Sequence, residues 1–177
     1  MSLQIRCVEE SDLEALTSIY NHYVLNTNAT FDVNTFSVKQ RQSWLAQFNN
    51  PRHQCWVVCD NTESALPCIG YATSLPFKIK KAYELSVESS IYLHPDYGKR
   101  GLGTLLYQKL FSELAGTDLH RCYAGIALPN SASISLHENF GFKKAGHYKE
   151  VGWKFGQYWD VVWMEKELGH TGETKAT

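Results

Sequence analysis

The sequence has no C-x-x-C pair, no net charge of consequence and no apolar run near the roughly 20 residues that span a bilayer. Its five cysteines, Cys7, Cys55, Cys59, Cys68 and Cys122, are an odd number. That argues against a disulfide framework and against a zinc ribbon, so no metal is expected and most of the five read as small buried hydrophobes. Lys plus Arg (17) nearly cancels Asp plus Glu (18), so no global basic field draws the chain to nucleic acid or anionic lipid. The start, Met1-Ser2-Leu3-Gln4-Ile5-Arg6, lacks the basic-then-apolar layout of a secretion signal, which makes the cytoplasm the expected compartment. What is present is ordinary globular composition, 44% hydrophobic and 20% charged over 177 residues, enough for one self-sufficient core. The 5 Trp, 10 Tyr and 8 Phe fit a packed core or the walls of a small-molecule cleft, and composition does not separate the two.

Hydrophobic periodicity orders the elements. Leu3, Ile5 and Cys7 alternate as in a half-buried strand, and Ser11 with Glu14 reads as a capping box opening a helix whose apolar face is Leu13, Leu16, Ile19, Tyr20, Tyr23 and Val24. Ser37 with Gln40 opens a second helix through Trp44, Leu45 and Phe48, ending before Pro51. Segments 56–59 and 68–75 predict an antiparallel strand pair, and 84–93 the longest strand. In that strand Leu85, Val87, Ser89, Ile91 and Leu93 share one face, with Ser86, Glu88, Ser90 and Tyr92 on the other. A helix with Leu102, Leu105, Leu106, Leu110, Phe111 and Leu114 follows and closes at Gly116. A strand over 122–127, a helix over 131–139 and strands near 144–153 and 158–165 complete a single domain over 1–168, with 169–177 expected to fray. The fold class is mixed α/β, a largely antiparallel sheet flanked by helices.

Two features carry chemistry. Glycines 98, 101 and 103 bracket Lys99 and Arg100 just before a helix, where unpaired N–H groups and the positive dipole end suit a pyrophosphate, or else the glycines make a mere turn, which spacing alone does not separate. No Lys-Ser or Lys-Thr follows the last glycine, which removes a nucleotide-triphosphatase loop, and the spacing is not that of a dinucleotide fold. Glu88 is an acid in the middle of a strand that feeds this loop. It is either an exposed edge-strand residue or a carboxylate placed to take a proton from a bound substrate.

The run Tyr83-Glu84-Leu85-Ser86-Val87-Glu88-Ser89-Ser90-Ile91-Tyr92-Leu93-His94-Pro95, leading into Lys99-Arg100-Gly101-Leu102-Gly103-Thr104, resembles the core of the phosphinothricin N-acetyltransferase family of the GNAT superfamily. Thr30-Phe31, Pro76-Phe77-Lys78-Ile79-Lys80, Leu128-Pro129-Asn130, Leu136-His137-Glu138, Gly141-Phe142, Val151-Gly152 and Trp159-Asp160-Val161 extend the likeness over roughly residues 3 to 166.

The resemblance implies the GNAT fold and acetyl transfer from acetyl-CoA to the amino group of phosphinothricin, methionine sulfoximine, methionine sulfone or a related amino acid. It implies that Ile91, Tyr92 and Leu93 offer backbone groups to pantetheine, that Lys99, Arg100, Gly101, Leu102, Gly103 and Thr104 wrap the pyrophosphate, and that Asn130 holds the arm from the other side. Glu88 becomes the general base, directly or through water, with a backbone N–H near Leu93 polarising the thioester carbonyl. His137 stands where many relatives carry a tyrosine that protonates the leaving thiolate; it either serves that role or merely packs. Lys78 and Lys80, flanking Ile79, are expected to grip the acceptor's anionic ends, with Tyr83, Phe36, Ser89 and Ser90 around them, or else form an exposed basic loop. Close relatives often carry Arg where this chain has Lys80, so a point charge replaces a planar fork. Other readings are transfer to a peptide N-terminus or a polyamine, and a non-catalytic CoA sensor. The family's habit of pairing implies a homodimer, to which 153–163 could contribute.

Overall fold

The computed structural model describes residues 2–62 and 68–169. Of the tail expected to fray, 170–177 lie outside the described residues. Seven strands form one sheet in the order β1-β2-β3-β4-β5-β7-β6. They are β1 (Leu3–Cys7), β2 (Gln54–Asp60), β3 (Cys68–Pro76), β4 (Ser86–Leu93), β5 (Arg121–Ala127), β6 (Lys143–Lys154) and β7 (Gln157–Glu167). Every neighbouring pair is antiparallel except β4 with β5. The helices are α1 (Leu13–Asn26), α2 (Val38–Leu45), α3 (Leu102–Leu114) and α4 (Ser131–Asn139). No helix among the described residues is long and apolar enough to cross a membrane.

Both sheet faces are covered, because the strands carry apolar residues on both sides. Leu102, Leu106, Leu110 and Leu114 of α3 pack with Val58, Ala72, Val87 and Cys122. Leu16 and Ile19 of α1 pack with Cys55, Val57 and Tyr71 on the opposite face. Four of the five cysteines are buried in these layers and only Cys7 is exposed.

Several strands run a residue or two longer than the sequence reading, and three other boundaries show why a local pattern misplaces an end. Ser11 and Glu14 do not cap α1: a 3-10 turn, Glu10–Asp12, precedes it, and Glu9 N donates to Asp12 Oδ2 at 2.8 Å. Asp12 is available for this because the Arg6 guanidinium holds it through two 2.7 Å bonds, a tertiary contact no local pattern reveals. The Ser37–Gln40 box is formed, with Ser37 N donating to Gln40 Oε1 (2.8 Å) and Gln40 N to Ser37 Oγ (3.3 Å), and α2 ends before Pro51 as read, but already at Leu45, short of Phe48. Strand β4 begins at Ser86, since Glu84 still belongs to the turn in which its N–H donates to Lys81 O.

Candidate active site

The parallel pairing of β4 and β5 lasts three residues, Ser86 to Glu88 against Arg121 to Tyr123, and then ends. Beyond it β4 stays bonded to β3 and β5 to β7, so the two strands splay and leave a cleft of about 420 Å³ between them. Phe77 N donates to Ser86 O and His94 N to Ile69 O, which fixes the alternation along β4. By that alternation the odd residues, Ser89, Ile91 and Leu93, turn their N–H and C=O away from β3 into the splay. Tyr92 was expected to offer backbone groups there as well; its N–H and C=O belong instead to the pair with Tyr71 on β3, although the residue borders the cleft. The Leu93 carbonyl already accepts the Tyr23 hydroxyl at 2.7 Å, which leaves the Leu93 N–H as the donor pointing inward.

The glycine loop closes one end of the cleft. Gly101 is the residue before α3 and sits at φ 75°, a left-handed conformation that favours glycine, and Lys99 shares it at φ 61°. Gly98, Lys99, Gly101, Leu102, Gly103 and Thr104 all line the cleft. Arg100, expected to join them, does not: its guanidinium lies 4.8 Å from the Tyr97 ring centroid and donates to Asp96 O. Gly103 lets α3 approach α4, since a Cβ there would stand 3.2 Å from Leu136 Cδ2. Asn130 lines the other wall and caps α4, accepting from Ser133 N at 3.1 Å. An extended amide arm with a pyrophosphate at one end fits this cleft: unpaired strand groups along its length, a helix N-terminus at its mouth.

His137 is buried, with Nδ1 donating to Ser133 O (2.7 Å) and Nε2 2.9 Å from the Tyr107 hydroxyl. With Nδ1 committed to a carbonyl, Nε2 is the acceptor and Tyr107 the donor. Burial lowers the imidazole's pKa, which keeps it neutral. In this arrangement the Nε2 face of His137 carries no proton; the proton in that contact is that of the Tyr107 hydroxyl, whose pKa burial raises, and Tyr107 also lines the cleft and lies 3.4 Å from Ser89 Oγ. The sequence reading passed over Tyr107, one more aromatic on the apolar side of α3. Its signal was a hydroxyl at a position with no solvent.

Glu88 sits on the opposite sheet face at the point where the splay begins. It is half-buried, and its carboxylate makes no hydrogen bond among the described residues. Burial raises its pKa, and the charge of Lys78 offsets part of that rise. Next to it, Phe77 stacks on Tyr123 (centroids 4.3 Å) and meets Trp163 and Tyr83 edge-on, making an aromatic wall over which the Lys78 Nζ lies 4.8 Å from the Phe77 centroid. Ile79, Lys80 and Tyr83 are exposed, with Ile79 standing fully in solvent. Only Lys78 of that basic run is shown acting electrostatically on Glu88. Phe36, Ser90 and Tyr92 line a second cavity of about 350 Å³ on the Glu88 face. Arg41, which the sequence reading missed, borders it too: the guanidinium stacks 3.7 Å from the Trp44 ring centroid and its Nε and Nη2 have no hydrogen-bond partner among the described residues.

The β6–β7 hairpin is fastened across the same end of the molecule. Lys154 is buried and donates to Thr30 O at 2.7 Å, while Gly152 lies so close to Phe31 that a Cβ would come within 2.2 Å of the ring. This contact brings together Thr30-Phe31 and Val151-Gly152, two of the motifs that carry the resemblance.

Residues 5–163 match the family described as Acetyltransferase (GNAT) domain. The chain is 49% identical over 166 residues to a phosphinothricin N-acetyltransferase of Streptomyces coelicolor, covering 94% of this chain and 96% of that one. It is 32% identical to the L-methionine sulfoximine/L-methionine sulfone acetyltransferase of Pseudomonas aeruginosa, covering 97% and 98%. Its fold superposes on the crystal structure of a GNAT superfamily phosphinothricin acetyltransferase from Sinorhizobium meliloti in complex with AcCoA, with TM-score 0.90, 30% identity, and coverage of 100% of this chain and 94% of that one. A splayed β4–β5 pair, a glycine loop before α3 and relatives aligned from end to end lead to one conclusion: this is an acetyl-CoA-dependent N-acetyltransferase, a member of the phosphinothricin N-acetyltransferase family of the GNAT superfamily.

Proposed function

We propose that the chain acetylates the amino group of a small amino acid with an anionic or sulfur-oxo side chain, with phosphinothricin, methionine sulfoximine and methionine sulfone as acceptors. The observation that carries this reading is the position of Glu88 at the start of the splay, with the donor cleft on one side and the aromatic wall and Lys78 on the other. Even a peptide α-amino group, of pKa about 8, arrives mostly protonated at pH 7, and the amine of a free amino acid more so, so Glu88 takes the proton that the nucleophile must lose. The Leu93 N–H faces the carbonyl oxygen on which charge builds. Tyr107, held by His137, gives the proton that the departing thiolate needs, and His137 positions it.

The decisive experiment is a thiol-release assay with acetyl-CoA against amino acids, their oxidised and phosphorus analogues, a polyamine and a peptide N-terminus. Turnover confined to the analogues is the expected result. Turnover of the polyamine or peptide with none of the analogues defeats the acceptor assignment. Lys78→Ala with Lys80→Ala should raise the acceptor KM by roughly tenfold or more, the worth of a charge-assisted bond, without moving the acetyl-CoA KM. Tyr107→Phe should lower kcat on the order of a hundredfold and leave both KM values near wild type, as loss of a general acid does; an unchanged kcat removes Tyr107 from the chemistry.

We also read the exposed aromatics of the β6–β7 hairpin, Trp153, Phe155 and Tyr158, as the face of a homodimer. Sedimentation at micromolar concentration should give twice the 20.2 kDa chain mass. A monomer there rejects the dimer.

A further inference from the structure

Away from the cleft, the ladder between β2 and β3 ends on Cys59 opposite Cys68, where a bulge beside Val58 brings the two into register. Their sulfurs are 3.0 Å apart and both residues are about 1% exposed. Cys68 Sγ donates to Asp12 Oδ1 at 3.0 Å. Asp12, Cys59 and Cys68 are close enough together to suggest a metal site. The carboxylate argues otherwise: Oδ1 already takes Arg6 and Cys68, Oδ2 takes Arg6 and the Glu9 N–H, so an ion would have to expel the Arg6 guanidinium. What remains is a pair of thiols in contact, facing each other across two strands, with a cation beside them. Arg6 Nη2 is 4.0 Å from Cys68 Sγ.

We infer that Cys59 and Cys68 are a site of reversible oxidation, closing an intrachain disulfide across the end of the β2–β3 ladder when the protein meets hydrogen peroxide. The sulfurs need to approach by about 1 Å to reach bonding distance, which neighbouring side-chain torsions can supply. The order of events follows from their surroundings. The contact with Cys59, burial and Asp12, in that order, keep the proton on Cys68, while the Cys68 contact and Arg6 favour the thiolate of Cys59. Cys59 attacks the peroxide: an S–O bond forms, the O–O bond breaks, and hydroxide leaves with the Cys59 proton as water. Cys68 sulfur then attacks Cys59 sulfur; the S–S bond forms, the S–O bond breaks, and the hydroxyl leaves as a second water with the Cys68 proton. Two thiols lose two electrons and one peroxide becomes two waters. Asp12 keeps Arg6 and Glu9 when the Cys68 proton is gone, so no buried charge is orphaned.

The other cysteines differ in kind. Cys55 and Cys122 are buried with thiols pushed upward by desolvation, Cys122 to about 12, and Cys7 is exposed without a thiol partner. The bond would also fasten the strand end next to Ile69, whose carbonyl holds His94 N at 2.8 Å at the rim of the donor cleft.

The test titrates the wild-type chain with hydrogen peroxide, denatures it in an alkylating agent, and maps unmodified thiols by peptide mass spectrometry. Two of the five thiols should disappear together. A crosslinked Cys59–Cys68 peptide lighter by two hydrogens should appear, and dithiothreitol should restore both thiols. Cys59→Ala and Cys68→Ala should each abolish that species, and Cys7→Ala should leave it intact. The wild-type mapping stands even if a variant misfolds. The proposal falls if Cys59 and Cys68 stay alkylatable at peroxide levels that oxidise Cys7, if either ends as an irreversible sulfinic acid, or if the reduced protein takes up one zinc that protects both.

Discussion

Glu88→Gln is expected to lower turnover by roughly two to four orders of magnitude while the affinity for acetyl-CoA stays near wild type. The amide keeps the size and loses the basicity, and Glu88 faces away from the α3 and α4 side on which the donor loop closes. The pH profile sharpens the expectation. Burial raises the Glu88 pKa, so the acidic limb of kcat/KM should lie above the ordinary carboxylate range of about 4.3 and should vanish in the variant. The stability sign runs the opposite way to activity. A carboxyl whose folded pKa is raised opposes folding once the pH exceeds its unfolded pKa, fully so above the folded value, and that penalty is absent in acid. Glu88→Gln should thus leave the chain at least as stable as wild type at pH 7 and confer no advantage at pH 3. A variant that loses activity and melts earlier at pH 7 would mean that Glu88 is structural. Unchanged turnover across neutral pH would dismiss it as the base.

Much of this geometry was legible in the sequence because it is local. Residues 131–139 form the predicted helix to the residue, and the Ser37–Gln40 box bonds as its spacing requires. The loop from Gly98 also stands where the pattern puts it. The readings that changed depend on partners distant in the chain. Which strand groups face the cleft follows from the β3–β4 register, so Tyr92 could not be told from Ile91 and Leu93 without it. The role of His137 turns on Ser133 O and on Tyr107, thirty residues away, which between them consume both ring nitrogens. Arg6, reading as the polar side of a strand, also holds Asp12, whose carboxylate takes the Glu9 N–H at the 3-10 turn before α1. Periodicity reports which face a residue takes; it does not report the hydrogen-bond partner it finds there.

The second large effect is expected at Gly101, where torsion rather than space is decisive. A Cβ at this position meets nothing within 4 Å, so a larger residue fits, yet the backbone stands at φ 75°. A β-branched residue held there costs about 1–3 kcal/mol. The alternative is a relaxed turn that re-aims the first N–H groups of α3 away from the cleft mouth. Gly101→Val should raise the KM for acetyl-CoA by roughly five- to 150-fold, that strain expressed as affinity, with kcat at saturating donor little changed. Gly156→Val is the control, because it has the same sign of φ, 73°, and the same open surroundings, but lies in the β6–β7 turn. It should lose comparable stability on melting and leave the donor KM alone. Gly103→Ala tests packing instead: its Cβ would meet Leu136 Cδ2 at 3.2 Å, the end of a side chain that can rotate, so its effect should be smaller than that at Gly101. If Gly101→Val and Gly156→Val shift the donor KM equally, the loss is one of general stability and the loop before α3 is not the donor's anchor.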